Sequence, residues 1–210
     1  EPEGDVVILS NVGRLSAGAL EGLARFRARG GGILIGLGDR VDPRYYNTDV
    51  LGRLSSIELL NLAAEEGPGT FRSLRPTVLA HPIFAGFPIG PGDDLGSARF
   101  RKLVTSRSGQ EARVLAEFGR AFPAIIEEDG LLLFSSSLDG QWNDFVLSAS
   151  YPPLLHKMVR YLATRGGGDE REGIVGARLE TVRPEGNVSG PVVCLDPLGT
   201  QSPVEATPAD

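Results

Sequence analysis

Asp5-Val6-Val7-Ile8-Leu9-Ser10 and Gly32-Ile33-Leu34-Ile35-Gly36-Leu37 are two short apolar runs with a helix-like stretch between them. Each is too short for a helix and rich in β-branched residues. Neither alternates with polar positions, as expected of a strand buried on both faces of a parallel sheet. Between them, Ser16 has the chemistry of a helix N-cap, and Leu15 and Leu20 have the spacing of a hydrophobic staple. Leu23 and Ala24 continue the buried stripe, and Gly30 supplies a left-handed stop. Strand, helix and strand in this order make a βαβ unit with a right-handed crossover, which sets the class as α/β with an open sheet.

Outward from this unit, Asp42-Pro43 pairs an N-cap with proline in the first helical position and opens a helix to about Leu54. A strand is expected around residues 57 to 63. Residues 65 to 96 are rich in Gly and Pro and read as irregular surface with at most short strands. Residues 98 to 104 and 112 to 118 are strand candidates. Residues 121 to 128 and 131 to 136 flank Asp129-Gly130, a dipeptide that suits a tight type I′ hairpin. Residues 150 to 164 form an amphipathic helix, with Leu155, Met158, Val159 and Leu162 on its apolar face. Residues 166 to 173 have linker composition, and alternation resumes at 174 to 182 and 192 to 196. The expected organisation is an α/β domain over residues 1 to 165, a linker at 166 to 173, and the start of a β-rich domain at 174 to 210.

Composition narrows the chemistry. The chain has 210 residues, 41% of them hydrophobic, enough to bury a sizeable core. With 27 acidic against 21 basic residues and no basic stripe, nucleic acid is not an expected partner. The single Cys194 cannot form an internal disulfide, and with only His81 and His156 beside it no Cys/His zinc site can be assembled, so no metal is expected. No apolar run approaches the roughly 20 residues that span a bilayer. The opening Glu1-Pro2-Glu3-Gly4 carries neither an initiator methionine nor a signal core, which reads as an excerpt or a processed product. Gly36-Leu37-Gly38 lacks the rest of a dinucleotide turn, and no Walker A lysine, nucleophile elbow or HExxH is present. Neither a cofactor nor a catalytic set is expected. His81 and His156 read as polar or capping residues.

The loops at residues 38 to 42 and 135 to 144 hold the candidate site. If the strands before them run parallel, both loops emerge at the sheet's carboxyl edge, where open α/β folds place ligands. The candidate ligand-binding residues are Asp39, Arg40, Asp139, Trp142, Asn143 and Asp144. A structural reading competes. In it Asp39 and Asp144 cap or make turns, Arg40 pairs with one of them, and Trp142 covers the end of the core. Capping carboxylates and a buried tryptophan need no ligand, which weighs toward this second reading.

Several stretches taken together resemble a known family. They are residues 5 to 12, residues 30 to 42, His81-Pro82-Ile83-Phe84-Ala85-Gly86-Phe87, residues 137 to 144, Pro153-Leu154-Leu155-His156 and Arg160-Tyr161-Leu162. This set resembles the domain that follows the von Willebrand A module in bacterial membrane proteins of the BatA (aerotolerance-associated) type. That domain is similar to class I glutamine amidotransferases, with a flavodoxin-like sheet. The resemblance implies that a cysteine nucleophile would fall near Gly38-Asp39 and its His-Glu partners within Ser135-Ser136-Ser137-Leu138-Asp139. Neither is present here. It also implies further strand and helix upstream, hence truncation at the N-terminus. The parent protein would be anchored by membrane helices outside this chain, with its soluble domains on the periplasmic side. The function expected is non-catalytic binding of a protein partner or small ligand in a membrane-associated assembly. The alternative is a divergent hydrolase or carbohydrate-active enzyme using Asp39, His81, Asp139 and Asp144.

Overall fold

The two apolar runs form β1 (Val6–Ser10) and β2 (Gly32–Gly36), parallel and in register from Val6 beside Gly32 to Ser10 beside Gly36. The structure is a computed structural model that describes residues 4–64, 70–88, 94–119, 122–164, 193–195 and 201–203. Between the strands, α1 (Ala17–Ala28) starts where the Ser16 hydroxyl accepts from the Ala19 N–H at 3.2 Å. It ends at Gly30, whose φ of 90° only glycine adopts without strain. Leu20, Leu23 and Phe26 are its buried face.

The sheet continues through β8 (Leu131–Phe134), parallel to β2, and then turns antiparallel. β7 (Phe122–Glu128), β6 (Arg113–Phe118) and β4 (Leu74–Pro76) complete the order β1-β2-β8-β7-β6-β4. Three parallel strands are thus joined to an antiparallel half, and the hinge between them is the expected hairpin. Asp129 and Gly130 both take positive φ, at 40° and 81°, as a type I′ turn requires. A second, two-stranded antiparallel sheet pairs β3 (Glu58–Ala64) with β5 (Lys102–Arg107). The Val104 N–H ties it to the main sheet by donating to the Ser135 carbonyl at 2.8 Å.

Helices cover both faces, which is why β2 is buried at every position. Ile33 and Ile35 belong to the core that α1 closes, together with Tyr46, Val50 and Leu51. Leu34 faces the other core, closed by α5 (Tyr151–Thr164) through Leu154, Met158 and Leu162.

Several expectations shift. The strand expected at 98 to 104 begins only at Lys102, because Phe100 is spent on isolated bridges to Arg72 and Asn143. The segment expected to be irregular with at most short strands holds one such strand, β4, and departs from the expectation in a 3-10 turn at Pro82–Phe84 and the short α4 (Asp94–Ser97). The helix after Asp42 is broken into α2 (Pro43–Tyr45), a π turn (Tyr46–Val50) and α3 (Leu51–Leu54). Asn47, inside the wide turn, exchanges two 2.8 Å hydrogen bonds with the Leu59 backbone, so its side chain serves as an extra rung on β3. On α5 the deepest residues are Leu154, Met158 and Leu162. Leu155 and Val159 are only half-buried on its flank, and the helix sits so close to β2 that a β-carbon on Gly32 would come within 2.6 Å of Leu162.

Residues 171 to 210 form a compact unit separate from residues 1 to 170. Its described part is an antiparallel pair, β9 (Val193–Leu195) with β10 (Gln201–Pro203). The linker expected at 166 to 173 and the strand expected at 174 to 182 lie outside the described residues. Among the described residues no helix is long and apolar enough to cross a membrane.

Candidate functional site

Because β1, β2 and β8 run parallel, the loops that follow them leave the same edge, as the topology of an open α/β sheet requires. The second and third loops lie side by side: the Leu37 N–H donates to the carbonyls of Phe134, at 3.3 Å, and Ser136, at 3.1 Å. The first loop is joined to the second by Asn11. This residue holds a left-handed φ of 50°, and its Oδ1 accepts from the Arg40 N–H at 2.9 Å. Two tyrosines from the broken helix pin the same loop. The Tyr46 hydroxyl donates to the Val12 carbonyl, and the Tyr45 hydroxyl bonds both the Leu15 N–H and its carbonyl. Burial, with Tyr45 adding to it, pushes the Tyr46 phenol up to about 12.

The third loop is folded by its own polar side chains. Asn143 Nδ2 donates to the Ser137 carbonyl at 2.8 Å while its Oδ1 accepts from the Phe145 N–H at 3.1 Å. Asp144 accepts from the Arg99 N–H at 2.7 Å, and Asp139 from the Gln141 N–H at 3.0 Å. The Ser136 hydroxyl donates to the Lys102 carbonyl at 2.9 Å. Trp142 is 1% exposed, packed in the core with Leu37 and Tyr46. Its carbonyl accepts from the Arg101 and Lys102 N–H groups, so the start of β5 is stitched to this loop. Tyr151, at the start of α5, donates to the Leu138 carbonyl at 2.6 Å, and burial raises its phenol, with the charge of Asp139 adding to the effect.

Of the six residues expected at the rim, Asp139, Trp142, Asn143 and Asp144 are thus engaged in building it. Asp39 and Arg40 are exposed. The expected pairing of Arg40 with a neighbouring aspartate is not formed. Asp39 faces Lys102 Nζ at 3.5 Å instead, and the Arg40 guanidinium has no partner among the described residues. Lys102 could not be foreseen, because only the tertiary stitching of β5 brings it to the rim. Asn11 carried a weak sign, as asparagine after a strand suits a left-handed turn.

His81 lies elsewhere, between β7 and α5. It caps the turn at Pro82–Phe84, accepting from the Ile83 N–H at 3.4 Å, and its Nε2 lies 3.4 Å from Glu127. The other Glu127 oxygen accepts from the Tyr161 hydroxyl, and the His81 and Tyr161 rings meet edge-on at 4.6 Å. His156 is exposed on α5. No group of three metal-ligating side chains occurs among the described residues. A hollow of about 220 Å³ lies at the opposite, amino edge, lined by Gly4, Asp5, Phe26, Arg29, Gly30, Gly31 and Ala163.

No protein-family model and no curated protein matches this chain. Solved structures do match. Two proteins from Salmonella typhimurium, each described as a cytoplasmic protein, superpose with TM-scores of 0.59 and 0.53 at 18% identity, over 75% and 77% of this chain and 71% and 70% of theirs. A cold-adapted β-galactosidase from Rahnella sp. R3 superposes with a TM-score of 0.53 at 13% identity, over 75% of this chain but 22% of its own. At such identities the likeness shows the fold alone. The chain is a mixed α/β open-sheet protein.

Proposed function

We propose that residues 1 to 165 are a non-catalytic, amidotransferase-like domain that binds a protein partner or small ligand at its carboxyl rim. The observation that carries this reading is the packing at the two positions where amidotransferase resemblance would put a nucleophile and its base. A β-carbon on Gly38 would stand 2.3 Å from Asn11 Cγ, so the turn has no room for a cysteine side chain while Asn11 holds the Arg40 backbone. Ser135, Ser136 and Ser137 are buried, and the hydroxyls of the last two bond backbone carbonyls. A hydrolase would need at least two of Asp39, His81, Asp139 and Asp144 converging on one pocket. Their partners are instead four different residues: Lys102, Glu127, Gln141 and Arg99. What remains outward at the rim is the exposed Asp39–Lys102 pair and Arg40, a polar contact surface on a rigid base. The membrane-anchored, periplasm-facing parent is part of the proposal and rests on the family resemblance.

The test has two arms. The purified chain is expected to release no ammonia from glutamine above a buffer blank, and turnover abolished by Asp39→Ala would refute the non-catalytic reading. For binding, a partner retained from a bacterial envelope extract is expected to be lost on Asp39→Arg with thermal stability unchanged. Retention unaffected by that change would remove the rim as the contact.

A further inference from the structure

β1 is one edge of the six-stranded sheet, with no further strand beside it among the described residues, and β4 is the other. The Asp5 carbonyl accepts from the Gly32 N–H and the Asn11 N–H donates to the Gly36 carbonyl. Alternation along a parallel strand then turns the main chain of Val7 and Leu9 toward β2 and that of Val6, Ile8 and Ser10 away from it. Those outward groups have no partner among the described residues. Natural edges are usually protected by lysine, proline, a bulge or a covering element. Val6–Ser10 has no charge and no proline, and its central Ile8 is 46% exposed.

The surroundings extend this edge. On α5, Tyr161 marks the flank turned to β7 through Glu127, so Leu155, a little over a quarter of a turn beyond Leu154, and Val159, about a sixth of a turn beyond Leu162, lie on the flank turned to β1. Both are half-buried. The charges at the strand's two ends are opposite. Asp5 stands at the amino end and Arg40, held against Asn11, at the carboxyl end, and neither side chain has a partner among the described residues.

We infer that this edge is the pairing surface for a second copy of the same chain, joined antiparallel through β1 about a two-fold axis at Ile8. In this arrangement Ile8 faces the second copy's Ile8, and the outward groups of Val6, Ile8 and Ser10 are bonded across the axis. Asp5 of each copy falls opposite Asn11 of the other, beside the unpaired Arg40. Parallel pairing would instead set Asp5 beside Asp5.

Sedimentation equilibrium of the full 210-residue chain over a hundredfold concentration range tests the pairing. The mass is expected to rise from 22.3 kDa toward twice that value, and Ile8→Lys is expected to hold it at 22.3 kDa with an unchanged circular-dichroism spectrum. Register is read separately. Ile8→Cys combined with Cys194→Ser is expected to form an intermolecular disulfide on mild oxidation, since opposed residues in such a pair lie about 5.5 Å apart at Cα, within disulfide reach. A mass of 22.3 kDa at every concentration would overturn the inference, including the case where a different strand occupies the edge. So would a dimer that survives Ile8→Lys, or one in which the Ile8→Cys variant stays uncrosslinked after oxidation.

Discussion

Trp142 joins three parts of the molecule. Its indole fills the core under the carboxyl rim with Leu37 and Tyr46, and its carbonyl holds the start of β5. Its Nε1 has no hydrogen-bond partner among the described residues, so its contribution comes from packing. Trp142→Ala is expected to cost about 3–5 kcal/mol in urea unfolding, as for other large core aromatics; a loss below about 1 kcal/mol would show that the rim does not depend on it. Tyr46 adds a pH dependence of definite sign. Its folded pKa, about 12, lies above the ordinary 10.0, so burial favours the neutral phenol. The stability this represents is complete below pH 10 and is lost as pH rises toward 12. Tyr46→Phe is expected to remove that alkaline slope while costing about 1 kcal/mol at neutral pH for the lost bond to Val12. Trp142 as core cover was legible in the sequence, but Asp144 as a cap was not: its carboxylate makes no cap bond to the turn at Phe145–Leu147 and accepts instead from the distant Arg99 N–H. Asp39's partner was not legible either, since Lys102 lies in a strand whose place is set by contacts far away in sequence.

The elements that sequence places well are those whose signal is self-contained. The βαβ unit shows in two runs buried on both faces, and the β7–β8 hairpin in a dipeptide that tolerates two positive φ angles. The failures occur where a side chain is taken up by a distant element. Asn47 bonds β3 and accompanies a π turn, and Phe100 bridges to Arg72 and Asn143 instead of starting β5. Periodicity names Met158 and Leu162 correctly but takes Leu155 and Val159 in place of Leu154, because it gives the helix an apolar side without giving its rotation over the sheet. The two readings separate experimentally. Leu154→Ala is expected to destabilise by about 2–5 kcal/mol and Leu155→Ala by clearly less, each measured from denaturation midpoints. Equal losses would place the helix as the periodicity alone suggested.

At the scale of the whole molecule, length and patterning were enough for an α/β open sheet, but not for its mixture of directions, because strand order is a property of pairings between segments. The antiparallel strands β6 and β7 lie between the two parallel partners in sequence, so β2 and β8 become neighbours only after everything from Leu37 to Gly130 has been looped out. The β6-β7-β8 meander needs only short connections. Closing a long loop loses more entropy than closing a short one, and pairings between distant segments are the slow ones. The sheet is therefore expected to assemble outward from its turns, with the meander supplying an edge at β8 onto which the βαβ unit docks through β2, so that in pulsed hydrogen exchange the amides of the carboxyl rim, made of loops from both, should be protected last.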